Sequence, residues 1–151
     1  MADRMDGNLH RVPAGYNDVL VVEDDPMLAL ALTEGLEAAG FEVAGPCLGY
    51  RQALVAIARR APTRAVIDVD LGSGDLRPGF EGERLLAILD KGGCRCIVYS
   101  GRSELFEPIA RAHPDVVFIA KPKPVAEVVA AVAASASDGS QAAAGASAAP
   151  S

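Results

Sequence analysis

No run of 18 consecutive apolar residues occurs in the 151-residue chain, so the sequence predicts no membrane-spanning helix. The opening stretch from Met1 to Arg11 (MADRMDGNLHR) is charged and has no apolar core, which excludes a signal peptide and leads us to expect a cytoplasmic protein. Basic residues are in the minority, 14 Lys and Arg against 20 Asp and Glu, for a net charge of −6. Nucleic acid and anionic membrane surfaces are therefore not expected as direct partners. Cysteine is scarce: Cys47, Cys94 and Cys96 form an odd set without Cys-x-x-Cys spacing. They make no disulfide framework, and Cys94 and Cys96 lack further metal ligands nearby, so buried thiols in a reducing compartment are expected. The two histidines are badly placed for catalysis, His10 in the N-terminal extension and His113 before a proline at a helix end.

Half of the residues are apolar and 23% are charged, as in an ordinary globular chain with room for one α/β domain. Residues 1–16 are read as a flexible extension, 17–134 as the domain, and 135–151 as a disordered tail rich in Ala, Ser and Gly. Within the domain, apolar runs alternate with helical patterns. Strands are expected at Asp18–Val22, Phe41–Gly45, Ala65–Ile67, Cys96–Ser100 and Val116–Ala120. Between them Leu28, Leu32 and Leu36, then Leu54 and Ile57, then Leu85, Leu86 and Leu89, then Leu105 and Ile109 recur at helical spacing. Val125, Val128, Val129 and Val132 mark one face of a last helix. Five strands alternating with five helices predict a parallel sheet covered on both faces.

In open parallel sheets ligand chemistry gathers beyond the carboxyl ends of the strands. Glu23, Asp24 and Asp25 follow the first expected strand and Asp68 the third; Ser100 ends the fourth and Lys121 follows the fifth. The second strand end offers nothing polar. Each residue alone has a plain explanation: Asp25 before Pro26 as a helix cap, Asp68 and Ser100 as turn formers, Lys121 as part of a solvated connector. Independent turn residues would not all fall on one rim. Clustered carboxylates need a cation, and few-ligand oxygen sites suit Mg²⁺. An aspartate beside such a cation can act as a nucleophile toward phosphorus, with a lysine and a hydroxyl neutralising the phosphoryl oxygens.

Val21–Asp25 (VVEDD), Ile67–Leu71 (IDVDL), Tyr99–Gly101 (YSG) and Ala120–Pro122 (AKP) resemble, in the same order, the four signatures of the response-regulator receiver domain. The resemblance implies a flavodoxin-like (βα)5 doubly wound sheet with strand order 2-1-3-4-5. It makes Asp68 the phosphoacceptor. Mg²⁺ would be held by Asp24 and Asp68 directly, by the backbone carbonyl of Asp70, and by Glu23 through water. Ser100 would be the switch hydroxyl, Lys121 the phosphoryl-binding lysine, its bond to Pro122 cis, and Phe118 the aromatic switch. Implied partners are a histidine kinase or histidine phosphotransfer protein and a downstream protein target, the chain being a monomer or a phosphorylation-dependent dimer. With no output domain in view, the reading is a stand-alone regulator, a phosphoacceptor and not an enzyme.

The alternative is a haloacid-dehalogenase-like Mg²⁺-dependent phosphatase, with Asp68 as nucleophile and Asp70 as general acid. Its order begins with the Asp-x-Asp strand, whereas here the acidic cluster comes first. A flavodoxin-like cofactor binder is disfavoured because Glu23–Asp25 would repel a phosphate. One departure from the receiver pattern is the glycine-rich stretch 71–82 after the acceptor, longer than usual, and expected either to alter kinase docking and water access or to be a tolerated insertion.

Overall fold

The computed structural model describes residues 18–71 and 80–135. The expected extension at 1–16, nearly all of the tail at 135–151 and most of the 71–82 stretch lie outside the described residues.

Five strands alternate with helices: β1 (Asp18–Val22), α1 (Pro26–Ala38), β2 (Glu42–Cys47), α2 (Tyr50–Arg59), β3 (Arg64–Ile67), α3 (Phe80–Lys91), β4 (Arg95–Ser100), a 3₁₀ turn (Ser103–Leu105), α4 (Phe106–Ala112) and β5 (Val117–Ala120). A last helix, α5, spans 125–135. All strands are parallel and lie in the order β2-β1-β3-β4-β5. This is the flavodoxin-like arrangement expected from the sequence.

Strand alternation divides the core. Leu20, Val22, Ile67 and Val98 point to the side covered by α2, α3 and α4, where they meet Ala53, Leu85, Leu86, Leu89 and Ile109. Val19, Val21, Val66, Ile97 and Tyr99 point to the other side, against Leu32 and Leu36 of α1 and Val128 and Val132 of α5. Every residue of β1 is buried, which is why that strand reads as a continuous apolar run. Gly35 allows α1 to lie close to α5: a Cβ there would come 3.1 Å from Val129 and 3.2 Å from Val125.

The second strand differs from expectation. It begins at Glu42 and continues to Cys47, past the predicted end at Gly45. Gly45 has φ +110° and precedes a cis bond to Pro46, and the pairing with β1 shifts register between Leu20 and Val22. A glycine in the left-handed region followed by proline looks like a strand end in sequence. Here the strand passes through as a bulge and resumes pairing at Cys47.

Asp25 caps α1. Its carboxylate accepts from the backbone N–H of Met27 at 3.0 Å, and Pro26 occupies the first turn, where no N–H is needed. Asp25→Ala should therefore lower the unfolding free energy by about 1 kcal/mol. Leu32→Ala, at a fully buried position, should lower it by about 2–5 kcal/mol. Denaturant unfolding checks both.

Candidate phosphoacceptor site

Backbone pairing carries on one residue beyond the strands, and this places the polar side chains. The N–H of Glu23 donates to the carbonyl of Cys47 at 2.9 Å, that of Asp68 to Val22 at 3.0 Å, and that of Lys121 to Ser100 at 2.9 Å. Glu23, Asp68, Ser100 and Lys121 are thus fixed to one rim by the ladder itself. The second strand contributes after all, through the Cys47 carbonyl and not a side chain.

Lys121 bridges the site. Its Nζ donates to Asp68 Oδ2 at 2.8 Å and to Glu23 Oε1 at 2.9 Å, and lies 5.4 Å from the centre of the Tyr99 ring. Tyr99 is held in turn by its hydroxyl, which donates to the Lys123 carbonyl at 2.6 Å. The other carboxylate oxygens are also occupied: Asp25 N–H donates to Glu23 Oε2 at 3.1 Å, and Asp70 N–H to Asp68 Oδ1 at 2.8 Å. The Lys121–Pro122 bond is cis.

Glu23 is 2% exposed and Asp68 5%, while Asp24 is open to solvent. Carboxylate oxygens of these three lie within 4.8 Å of one another, an arrangement that could hold a divalent cation. Three carboxylates and one ammonium leave two negative charges in a small, half-buried volume, which a hard divalent cation would offset. Burial pushes the Glu23 carboxyl above its ordinary value, although the Lys121 ammonium and the Asp25 N–H pull the other way. Burial opposes the charge on Lys121, but its bonds to Asp68 and Glu23 outweigh that and raise its pKa.

The remaining expected residues fall around this centre. Ser100 is fully buried, and its Oγ accepts from the Arg102 N–H at 3.2 Å. Asp70 sits at the rim with its carboxylate 3.9 Å from the Arg102 guanidinium, outside the three-carboxylate cluster. Phe118 is half-buried on the α4 side of the sheet, its ring 4.9 Å from that of Phe106 at 37°. Cys47, Cys94 and Cys96 are free and buried. Hydrogen bonding with Cys94, together with burial, pushes the Cys96 thiol far up. His113 pairs with Asp90 at 2.6 Å, between α3 and α4 and away from the rim. Sequence reasoning did not read the contacts that Tyr99, Arg102 and Gly82 make around the site; those partners are distant in the chain or met only through backbone, and no local pattern announces them.

No protein-family model and no curated protein matches the sequence. Solved structures do. A CheY-like response regulator receiver domain protein from Methanospirillum hungatei JF-1 superposes with a TM-score of 0.69 at 20% identity, over 83% of this chain and 97% of that one. The receiver domain of NtrX from Brucella abortus gives 0.64 at 26% identity, over 79% and 97%. A response regulator protein from Burkholderia pseudomallei, solved with a phosphorylated aspartic acid, a calcium ion and citrate, gives 0.64 at 24% identity, over 83% and 71%. The chain has the fold of response-regulator receiver domains.

Glu23 titrates near 4.5 when solvated and higher when buried in the fold. As pH rises the unfolded chain loses this proton first, so folding is penalised from that value upward, and fully above the folded-state value. Glu23→Gln should accordingly make the metal-free protein more stable at pH 7, with the advantage shrinking to nothing below about pH 4. Thermal melts across this range in EDTA check the sign.

Proposed function

We propose that the chain is a single-domain response regulator that accepts a phosphoryl group on Asp68 from a histidine kinase or histidine phosphotransfer protein. The observation that carries this reading is the bridge of Lys121 between Asp68 and Glu23, with Asp24 beside them, at the strand-end rim of a receiver fold.

The chemistry follows from the side chains. A carboxylate oxygen of Asp68 attacks phosphorus; the new O–P bond forms as the P–N bond to the donor imidazole breaks, and the electron pair returns to that nitrogen. Lys121 is already 2.8 Å from Asp68 and needs only a small movement to pair with a phosphoryl oxygen. The Ser100 hydroxyl, now an acceptor for Arg102, has its own proton free to donate to another. Asp24, Asp68 and the Asp70 carbonyl, with Glu23 acting through water, would hold Mg²⁺, whose bound charge would neutralise the phosphoryl oxygens. The calcium ion and phosphorylated aspartic acid of the Burkholderia pseudomallei protein support this assignment by analogy of fold.

Phosphorylation adds roughly −1.5 to −2 charges at a site already short of cations, and so biases the neighbouring surface between two arrangements. Ser100 is drawn toward the phosphate, its bond to the Arg102 N–H is lost, and the loop into α4 is released. Phe118 carries no hydroxyl, so its part is packing alone, with Phe106 as its partner. Output passes to a downstream protein target in the cytoplasm, as a switch, a relay step or a phosphate sink. No nucleic acid takes part directly, and no helix among the described residues is long and apolar enough to cross a membrane. The phosphatase alternative would require Asp70 as general acid, and that carboxylate faces Arg102 at the rim.

Incubation with Mg²⁺ and acetyl phosphate should give an acid-stable, base-labile adduct in the wild type and none in Asp68→Asn. Equal labelling of the variant would overturn the assignment, and brisk turnover of a generic phosphomonoester would favour the phosphatase. Mg²⁺ titration by calorimetry should show a much larger loss of affinity in Asp24→Asn than in Asp70→Asn, because the metal would use the carboxylate of one and the carbonyl of the other.

A further inference from the structure

At Gly82 the first turn of α3 meets the acceptor loop backbone to backbone. Gly82 is buried within that turn, and a Cβ built on it would run into the Cα and the carbonyl oxygen of Val69 and lie 2.6 Å from the Val69 carbonyl carbon. No flexible side-chain end is involved, so neither partner can give way by changing rotamer. Val69 is itself fully buried and anchored in the core below.

The carbonyl pressed by Gly82 belongs to the peptide group between Val69 and Asp70. The N–H of that same group is the one donating to Asp68 Oδ1 at 2.8 Å. A trans peptide is planar and rigid, with C=O and N–H pointing in opposite directions. Contact on the carbonyl side therefore sets the direction of the N–H side. Asp68 has two carboxylate oxygens, one held by Lys121 and the other by this N–H. Its orientation thus depends on a plane that α3 fixes from behind.

We propose that Gly82 is a positioning residue for the acceptor: by admitting the α3 backbone against the Val69–Asp70 peptide, it aims the Asp70 N–H at Asp68. This rests on the reading of Asp68 as phosphoacceptor. The device acts at a distance in sequence, from the far side of the 72–79 stretch. It touches neither the phosphoryl group nor the cation.

The experiment compares wild type, Gly82→Ala and Leu89→Ala, the last a buried core position two turns further along the same helix. Each is labelled with acetyl phosphate and Mg²⁺ at a temperature where it is fully folded, and hydrogen exchange of the Asp70 amide is followed by NMR. Leu89→Ala should melt lower yet label at the wild-type rate. Gly82→Ala should label roughly ten- to a hundredfold more slowly, since small displacements of a reacting group carry penalties of that size. Its Asp70 amide should also exchange faster. Labelling of folded Gly82→Ala at the wild-type rate, with the amide still protected, would overturn the proposal. Should that variant not fold, Asp70→Pro replaces it, removing the N–H while keeping the carbonyl; wild-type labelling by Asp70→Pro would overturn the proposal equally. Failure of the wild type to label, or undiminished labelling of Asp68→Asn, would instead remove the phosphoacceptor reading on which the proposal stands.

Discussion

The site depends on one ammonium shared by two buried carboxylates. Glu23 and Asp68 are almost without solvent and close enough to repel each other, and Lys121 sits between them at 2.9 and 2.8 Å. Buried charges of like sign are tolerated only when compensated, and here one cation compensates two anions and leaves a third, Asp24, at the edge. The resting site is therefore assembled but under-neutralised. Burial lifts the Glu23 carboxyl even though a lysine is bonded to it, with the Asp68 charge adding to the rise, and a divalent cation suits the cluster.

Nothing in the side chains themselves would gather these groups. The parallel ladder does so, by extending one hydrogen bond past the ends of the strands at Glu23, Asp68 and Lys121. The order β2-β1-β3-β4-β5 places β1 beside β3, and β4 between β3 and β5. Acids from the first crossover thus meet the aspartate of the third strand and the lysine of the fifth. The two helical layers then act on the rim from below: α1 begins at the Asp25 cap, immediately beside the acids, and α3 rests its first turn on the Val69–Asp70 peptide. Stability and chemistry share the same backbone.

Much of this was legible in the chain. The β-branched runs at Val19–Val22 and Ile97–Val98 gave strands, and Leu32, Leu36, Val128 and Val132 gave helix faces, because burial on a sheet imposes a period that composition can display. Asp25 followed by Pro26 read as a helix cap, and it is one. The second strand was cut short because Gly45–Pro46 carries local turn chemistry, while its continuation is enforced by renewed pairing with β1 at Cys47. The contacts of Tyr99, Arg102 and Gly82 stayed unread, since each is defined by a neighbour's backbone or by a charge on another loop.

The sequence alone determined which residues carry charge, hydroxyl and amine, and that they follow apolar runs in a fixed order, because those properties are covalent. Only the tertiary structure decided that Lys121 spans Glu23 and Asp68, that Asp70 turns its carboxylate to Arg102 and its N–H to Asp68, and that a glycine in the third helix lies behind the peptide following Val69. These are contacts across three strands and a returning helix. Their distances are set by sheet register and packing, which no local stretch of the chain encodes by itself.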